Sequence, residues 1–401
     1  MRQSTLLPAI SGLASHQGEA MRRRRVVSLF AALAVAGAVT ISGQSKPGAD
    51  ADLAKIPAQK VWPLPPDPAR VTWIAAYSTS EDLEGPPKKS SLDAFRKVLL
   101  GKNSTTNAAT MTRGLGKPHG VAVDSSGRVF VADTEQAAVF VLDLRARRFL
   151  QLAGGQTQVA LRIPTGVAVD ARDNIYVGDN GHGAIFVFGP DLNYFGTLTK
   201  PGDLETPTAL AVDQGRDRLY AVDTRRHAVV AFDLAKGRLI KRIGQKGSDP
   251  GEFGWPQGIA VAPDGKVYVS DTMNCRVQVF DHDLTWLRSF GSLGVQPGQF
   301  RRPKGIAVDG DGIVYVVDSD FNNFQMFDEQ GQALLAVGQY GPRPGQMVLP
   351  AGIATSRDQR RVYVTEQVTV GFRSSSAFVA TPISPEPLLQ SACLEVITPL
   401  A

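Results

Sequence analysis

Short β-branched and aromatic runs, set apart by Gly, Asp and Asn, recur along the chain from residue 118 and predict strands rather than helices. The first run of each unit reads Pro118-His-Gly-Val-Ala-Val-Asp124, Pro164-Thr-Gly-Val-Ala-Val-Asp170 and Pro207-Thr-Ala-Leu-Ala-Val-Asp213. It continues as Pro256-Gln-Gly-Ile-Ala-Val-Ala262, Pro303-Lys-Gly-Ile-Ala-Val-Asp309 and Pro350-Ala-Gly-Ile-Ala-Thr-Ser356. The prolines are 46, 43, 49, 47 and 47 residues apart. A second run follows and ends in an acid, at Asp133, Asp179, Asp223, Asp271, Asp318 and Glu366. Third and fourth runs complete the unit, as in Val277-Gln-Val-Phe280 and Trp286-Leu-Arg-Ser-Phe290. Asp124-Ser-Ser-Gly127, Pro263-Asp-Gly265 and Asp309-Gly-Asp-Gly312 carry hairpin-turn chemistry between the first two runs. Four short antiparallel strands repeated six times predict an all-β, six-bladed β-propeller of four-stranded antiparallel blades.

A ring of sheets needs a clasp, because an open ring leaves strand edges unpaired. Arg70-Val-Thr-Trp-Ile-Ala-Ala-Tyr77 reads as a fourth strand placed ahead of the first unit. The expectation is a ring-closing segment over 71–83, an insert over 84–117, repeats over 118–381 and an irregular tail over 382–401. Gln367 to Phe372 fits the third run of the last unit poorly, so that strand is expected to be lost. In the insert, Ser90 to Leu100 suits one short basic helix with Leu92, Phe95 and Leu99 on one face. That face serves either as a dock for a partner or membrane surface or as packing against the ring.

The first 44 residues have the layout of a signal peptide or an N-terminal anchor. Arg22 to Arg25 precede a nearly uncharged run from Val26 to Val39, and small residues follow. Met21 is an alternative start, which would make 1–20 an upstream extension. Either start predicts export to the periplasm, the exterior or the outer side of the membrane. Residues 45–70, ending Trp62-Pro63-Leu64-Pro65-Pro66-Asp67-Pro68, read as a proline-rich linker.

Charge narrows the partners. The chain of 401 residues has 43 basic and 38 acidic residues, a net of +5. Five of the basic residues and one acid lie in 1–44, so the body is close to neutral. That balance lacks the footprint of a nucleic-acid binder. Two cysteines, Cys275 and Cys393, give neither a disulfide framework nor a four-thiolate metal site.

The pattern Pro-x-Gly-[Ile/Val]-Ala-Val-Asp, then Tyr-Val-x-Asp, then Val-Gln-Val-Phe-Asp resembles the NHL-repeat family of propellers over about 118–381. Trp255 to Gly291 carries the likeness best, including Asp271-Thr-Met-Asn274-Cys-Arg276. The arrangement is similar to exported bacterial NHL-repeat proteins, many of them lipoproteins, although no cysteine stands beside the apolar N-terminal run. The resemblance implies association with cell-envelope or electron-transfer complexes.

In an antiparallel meander, the start of the first strand and the loop between strands two and three share one end of the ring. That end collects His119, Gln257 and Lys304 from the strand starts. It adds Asn180, His182, Arg225, Arg226, His227, Asn274, Arg276, Phe321, Asn322 and Asn323 from the loops. Polar groups converging on a rigid concave face predict a binding site. The acids closing each second run read as acceptors of backbone N–H groups rather than as a ligand ring. The expectation is a non-catalytic extracytoplasmic scaffold for an envelope protein or a small ligand, with no cofactor and no metal. The alternative is a metal-dependent propeller lyase or lactonase with a divalent cation in the central channel. One His, one Lys, one Gln and no acid at the strand starts weigh against it.

Overall fold

The computed structural model describes residues 61–63, 67, 70–85, 113–153, 159–358, 361–367 and 377–382. The signal or anchor, most of the linker, the helix carrying Leu92, Phe95 and Leu99, Cys393 and the tail beyond 382 lie outside the described residues.

Five four-stranded antiparallel sheets follow one another along the chain, and a five-stranded sheet joins residues from both sides of them. The inner strands are Pro118–Val123, Pro164–Val169, Pro207–Asp213, Pro256–Val261 and Pro303–Val308, with Pro350–Thr355 in the five-stranded sheet. Each opens at the repeated proline, whose missing N–H costs nothing at the first residue of a strand. The expectation of six four-stranded blades is therefore corrected to five regular blades and one sheet of a different make.

That last sheet orders Pro350–Thr355, Val362–Glu366, Ala377–Pro382, Val71–Tyr77 and Val61–Trp62 from inside to outside. Its third strand is present after all, displaced to Ala377–Pro382. It pairs Thr365 with Ala377 on one side and Tyr77 with Ala377 on the other. Gln367 to Phe372 misled because the strand lies several residues further on. Val61 and Trp62 pair with Thr72 and Val71, so this end of the linker belongs to the sheet.

The proposed closing segment is a strand only as far as Tyr77. Ser80–Glu84 is a short helix, opened by a capping box in which Asp82 Oδ2 accepts the Thr79 N–H at 2.8 Å. Leu83 is buried among Leu115, Phe140 and Phe149. Glu84 Oε1 accepts the Phe149 N–H at 2.7 Å, and Arg147 Nε donates to the Leu83 carbonyl at 2.9 Å. The helix is thereby tied to the outer strand of the first sheet, Arg148–Ala153.

Adjacent sheets stack face to face, and their alternating apolar residues make a core between each pair. Phe130, Val139 and Val141 of the first sheet meet Val167, Val177 and Phe188 of the second. Trp62 and Val71 join Tyr315, Phe324, Val337 and Val364 between the fifth sheet and the last. Tyr363 joins Val121, Val131 and Phe140 between the last sheet and the first. Each such side chain contributes on the order of 1.5–3 kcal/mol on burial.

The glycine of Pro-x-Gly has a steric cause. A Cβ at Gly120 would lie 2.4 Å from the Thr165 carbonyl oxygen, and one at Gly258 would lie 2.1 Å from that of Lys304. At Gly305 it would meet the Ala351 oxygen at 2.6 Å, and at Gly352 the His119 oxygen at 2.2 Å. At these four places the inner strands approach each other too closely for a side chain, including where the last sheet meets the first, whereas the third strand carries Ala209. These approaches draw the second residue of each inner strand towards the axis.

Candidate functional site at the channel mouth

His119, Thr208, Gln257 and Ala351 line a narrow axial void of about 50 Å³ together with the inner-strand glycines and the Val, Leu and Ile residues that follow them. Lys304 occupies the same register position in the fifth sheet. Going round the ring, Lys304 and His119 are separated by the last sheet, which contributes only the methyl group of Ala351.

Both groups are held away from their ordinary titration. Burial, followed by the charge of Lys304 and then Lys117, lowers His119 from 6.5 to about 4, against a partial offset from the Thr165 carbonyl. Burial, followed by Arg302 and Lys117, lowers Lys304 from 10.5 to about 8, with Asp320 and Asp318 opposing. Among the described residues, no carboxylate lies within 4.0 Å of the Lys304 ammonium. A desolvated cation is costly, and the two cations Arg302 and Lys117 act on it ahead of the two acids Asp320 and Asp318.

The His119 shift has a measurable consequence. Its folded value lies below the unfolded one, so the unfolded chain takes up the proton first as pH falls. Stability from this group is complete above about pH 6.5 and declines towards about pH 4. His119→Gln is expected to flatten the wild-type decline by on the order of 2 kcal/mol, a value reduced for partial exposure. Urea unfolding of both proteins at about pH 7 and about pH 4.5 measures it. Equal declines would show that the imidazole titrates as if in water.

The acids closing the second strands are committed to structure. Asp133 accepts N–H groups from Gly116, Lys117, Glu135 and Gln136, and so ties the incoming segment to the following loop. Asp179 does the same for Arg162, Ile163, Gly181 and His182. Asp318 repeats the pattern with Arg301, Arg302, Asp320 and Phe321.

The loop candidates divide into braces and open groups. Asn274 Nδ2 donates to the Gly247 carbonyl at 2.8 Å, and Arg276 Nε donates to Asp271 at 2.9 Å. Asn322 Oδ1 accepts the Leu349 N–H at 2.9 Å. His182 Nδ1 lies 3.3 Å from Asp179 Oδ1, and His227 Nδ1 lies 3.2 Å from the Trp255 backbone nitrogen. His227, Cys275 and Asn322 share the left-handed residue that ends each loop, with φ of 51°, 52° and 56°. Their identities therefore answer first to turn geometry. Arg226 donates to the carbonyls of Gly202 and Asp203, while Arg225 reaches Glu205 at 3.4 Å on the open surface. Phe321 is half-buried, and the Oδ1 atoms of Asn180 and Asn323 are buried without a hydrogen bond.

Sequence reading passed over the residue just before each repeated proline. Lys117 and Arg302 bring charge to this end of the ring. Trp255, Ile163 and Leu349 bring apolar surface, 45%, 46% and 37% exposed, and Met273 is 66% exposed beside Trp255. The signal was available, since the position is fixed by the proline. Its varied residue types hid it.

A cavity of about 450 Å³ opens at the other end of the inner strands, among Asp213, Gln214, Ala262, Asp309, Ser356 and Arg357. Arg357 reaches the Asp170 carbonyl and lies 3.3 Å from Asp173, while Ser125 N donates to Asp173 at 3.0 Å. These contacts tie the loops of the last, second and first sheets together.

A divalent cation at the mouth would find one imidazole, an amide and a hydroxyl, with an ammonium beside them. Among the described residues, no group of three or more His, Cys, Asp or Glu side chains is placed to hold a metal. The donor set does not fit.

The sequence matches the NHL repeat at residues 115–142, 161–188 and 253–280. It is 43% identical over 56 residues to the RING finger protein nhl-1 of Caenorhabditis elegans, covering 14% of this chain and 6% of that protein. It is 26% identical over 234 residues to the NHL repeat-containing protein 2 of Bos taurus, covering 53% of this chain and 28% of that protein. The chain thus spans under a third of either relative. The fold resembles a gluconolactonase of Xanthomonas campestris with a TM-score of 0.52 and 18% identity, over 67% of this chain and 87% of that one. At that identity the likeness concerns the fold alone. With the repeated strand pattern and the stacked sheets, the matches identify NHL repeats in three of the chain's repeated units and a β-propeller fold.

Proposed function

We propose that the chain is a non-catalytic binding scaffold, exported from the cytoplasm, that holds a protein or small ligand at the channel-mouth end of the ring. In this reading the five-stranded sheet serves as a sixth blade and closes the ring with N-terminal strands. The observation that carries the proposal is the placement, at one end of the inner strands, of Lys304, which has no carboxylate within 4.0 Å among the described residues, and of the exposed apolar residues Trp255, Met273, Leu349 and Ile163. Aromatic and Met side chains beside a desolvated polar centre have the make-up of a protein-binding patch. The charged run Arg22 to Arg25 ahead of Val26 to Val39 supports export, and with it a partner in the cell envelope or an electron-transfer complex. The near-neutral body keeps nucleic acid outside the proposal, and the unsuited donor set does the same for a metal-dependent lyase or lactonase.

Site-specific photo-crosslinking tests the face. A crosslinker at Met273 is expected to capture a discrete partner in cells producing the full chain, whereas one at Ser126, on the opposite end, captures none. Equal capture at the two positions, or none at Met273, overturns the reading.

A further inference from the structure

The inner strands carry a second opening, at the end away from the channel mouth. Their fourth residues, among them Leu210, Ile259 and Ile306, fill the middle of the channel and leave only the void of about 50 Å³. Below that plug lies the cavity of about 450 Å³, within the range of roughly 300–1,000 Å³ usual for small-molecule sites. The sixth residue of each inner strand shows its outline. Val123 and Val169 are buried, each 8% exposed, whereas Val212, Val261, Val308 and Thr355 are only half-buried and line the cavity. Two side chains cross to the second sheet. Gln214 Nε2 donates to the Val169 carbonyl at 3.0 Å, and Arg357 donates to the adjacent Asp170 carbonyl. They close that side and leave a cup bounded by the third, fourth, fifth and last sheets.

The charged groups around the cup are already engaged. Asp213 accepts the Gly215 N–H at 3.0 Å and Arg216 Nη1 at 3.1 Å. Asp309 accepts the N–H groups of Asp311 and Ile313 at 3.0 and 2.9 Å and the Tyr315 hydroxyl at 2.8 Å. Arg357 Nη2 lies 3.3 Å from Asp173. Two groups keep capacity: among the described residues, the amide oxygen of Gln214 accepts no hydrogen bond and Nη1 of Arg357 donates none. Because these side chains hold adjacent carbonyls, an acceptor and a donor stand together on one side of a cup walled by valine.

We infer that the cup is a small-molecule site, separate from the channel mouth, for an uncharged molecule with an apolar body and an amide or hydroxyl head. The body lies against Val212, Val261 and Val308, where it removes apolar surface from water. The head accepts a hydrogen bond from Arg357 and gives one to Gln214. A charged head would be desolvated beside groups that already have partners. The inference stands apart from the binding-face reading, and either can fail alone.

The test uses the full chain with methyl-labelled valine and three probes that share one ring: cyclohexanecarboxamide, cyclohexanecarboxylate and cyclohexylammonium. The carboxamide is expected to move the NMR signals of Val212, Val261 and Val308, assigned by their loss in Val212→Ile, Val261→Ile and Val308→Ile. Val121 and Val167, in the plugged middle of the channel, should stay in place. Each charged probe is expected to bind at least about tenfold more weakly, since it brings an unmatched charge into the cup. Val261→Phe fills the cup and should abolish the carboxamide response, with thermal unfolding checking that the ring stays folded. Thr355→Leu, on the opposite wall, serves the same purpose with a smaller change. Three unmoved valines, tighter binding of either charged probe, or unchanged carboxamide binding in a folded filling variant overturns the site. Photo-crosslinking at Met273 reports separately on the mouth and should be the same with and without the carboxamide.

Discussion

Trp62→Ala is expected to destabilise the ring by about 3–5 kcal/mol, the usual cost of deleting a buried aromatic side chain. Trp62 is 4% exposed and sits in the core between the fifth sheet and the last, against Val71, Tyr315, Phe324 and Val337. Its backbone pairs with Val71, and its carbonyl accepts the Arg70 N–H at 2.6 Å. The residue therefore fastens the outermost strand to the sheet that joins the two parts of the chain. Net domain stability is about 5–15 kcal/mol, so the loss takes a large fraction of it. Thermal and urea unfolding of wild type, Trp62→Phe and Trp62→Ala measure the effect. Trp62→Phe should keep most of the stability, because it keeps most of the apolar contact. A change below about 1 kcal/mol in Trp62→Ala would return residues 61–62 to the linker.

The contrast between Trp62 and Pro118 shows what the repeat made legible. Proline, glycine and small apolar residues recur because each inner strand meets the same steric problem, the neighbour's carbonyl against its glycine. The proline recurs six times and the glycine five, with Ala209 in the third strand, and a demand repeated so often leaves a period in the sequence. Trp62 answers a demand made once, at the outer edge of the sheet that departs from the others, so it leaves no period and is masked by the prolines after it. Ala377–Pro382 escaped notice for the same reason, since its spacing follows no other unit. At the site, the meander gave the shared end of the ring, and with it His119, Gln257 and Lys304. It did not reveal that Asn274, Arg276 and Asn322 are held by hydrogen bonds to Gly247, Asp271 and Leu349. Those bonds depend on three-dimensional register, which residue type alone does not express. That no carboxylate among the described residues lies within 4.0 Å of Lys304 was likewise hidden, because Asp318 is near in sequence but spends its oxygens on backbone N–H groups.

The second large effect is expected at Asp271, where replacement by alanine should cost about 3–5 kcal/mol. The carboxylate is fully buried. It accepts the Gly254 N–H at 2.6 Å, Asn274 Nδ2 at 2.8 Å, Arg276 Nε at 2.9 Å and Gln278 Nε2 at 3.1 Å. Its removal leaves the guanidinium of Arg276, 16% exposed, without its anion, holding only the carbonyls of Asp249 and Glu252. Gln278, itself buried, also loses a partner, and a buried donor left unpaired carries its own desolvation cost. Because the deficit is mainly an orphaned charge, Asp271→Ala with Arg276→Met should recover part of it. A double-mutant cycle is expected to show a coupling of about 1–3 kcal/mol. By contrast, Asp318 binds backbone N–H groups that water can reach once the loop loosens, so Asp318→Ala should cost less than Asp271→Ala. If the two alanine variants were equally stable, or the double variant no better than Asp271→Ala, the Arg276 charge would not be what makes Asp271 indispensable. The same network holds Asn274 and Gly254 on either side of Met273 and Trp255, so its loss should also weaken crosslinking at Met273 under conditions where the rest of the ring stays folded.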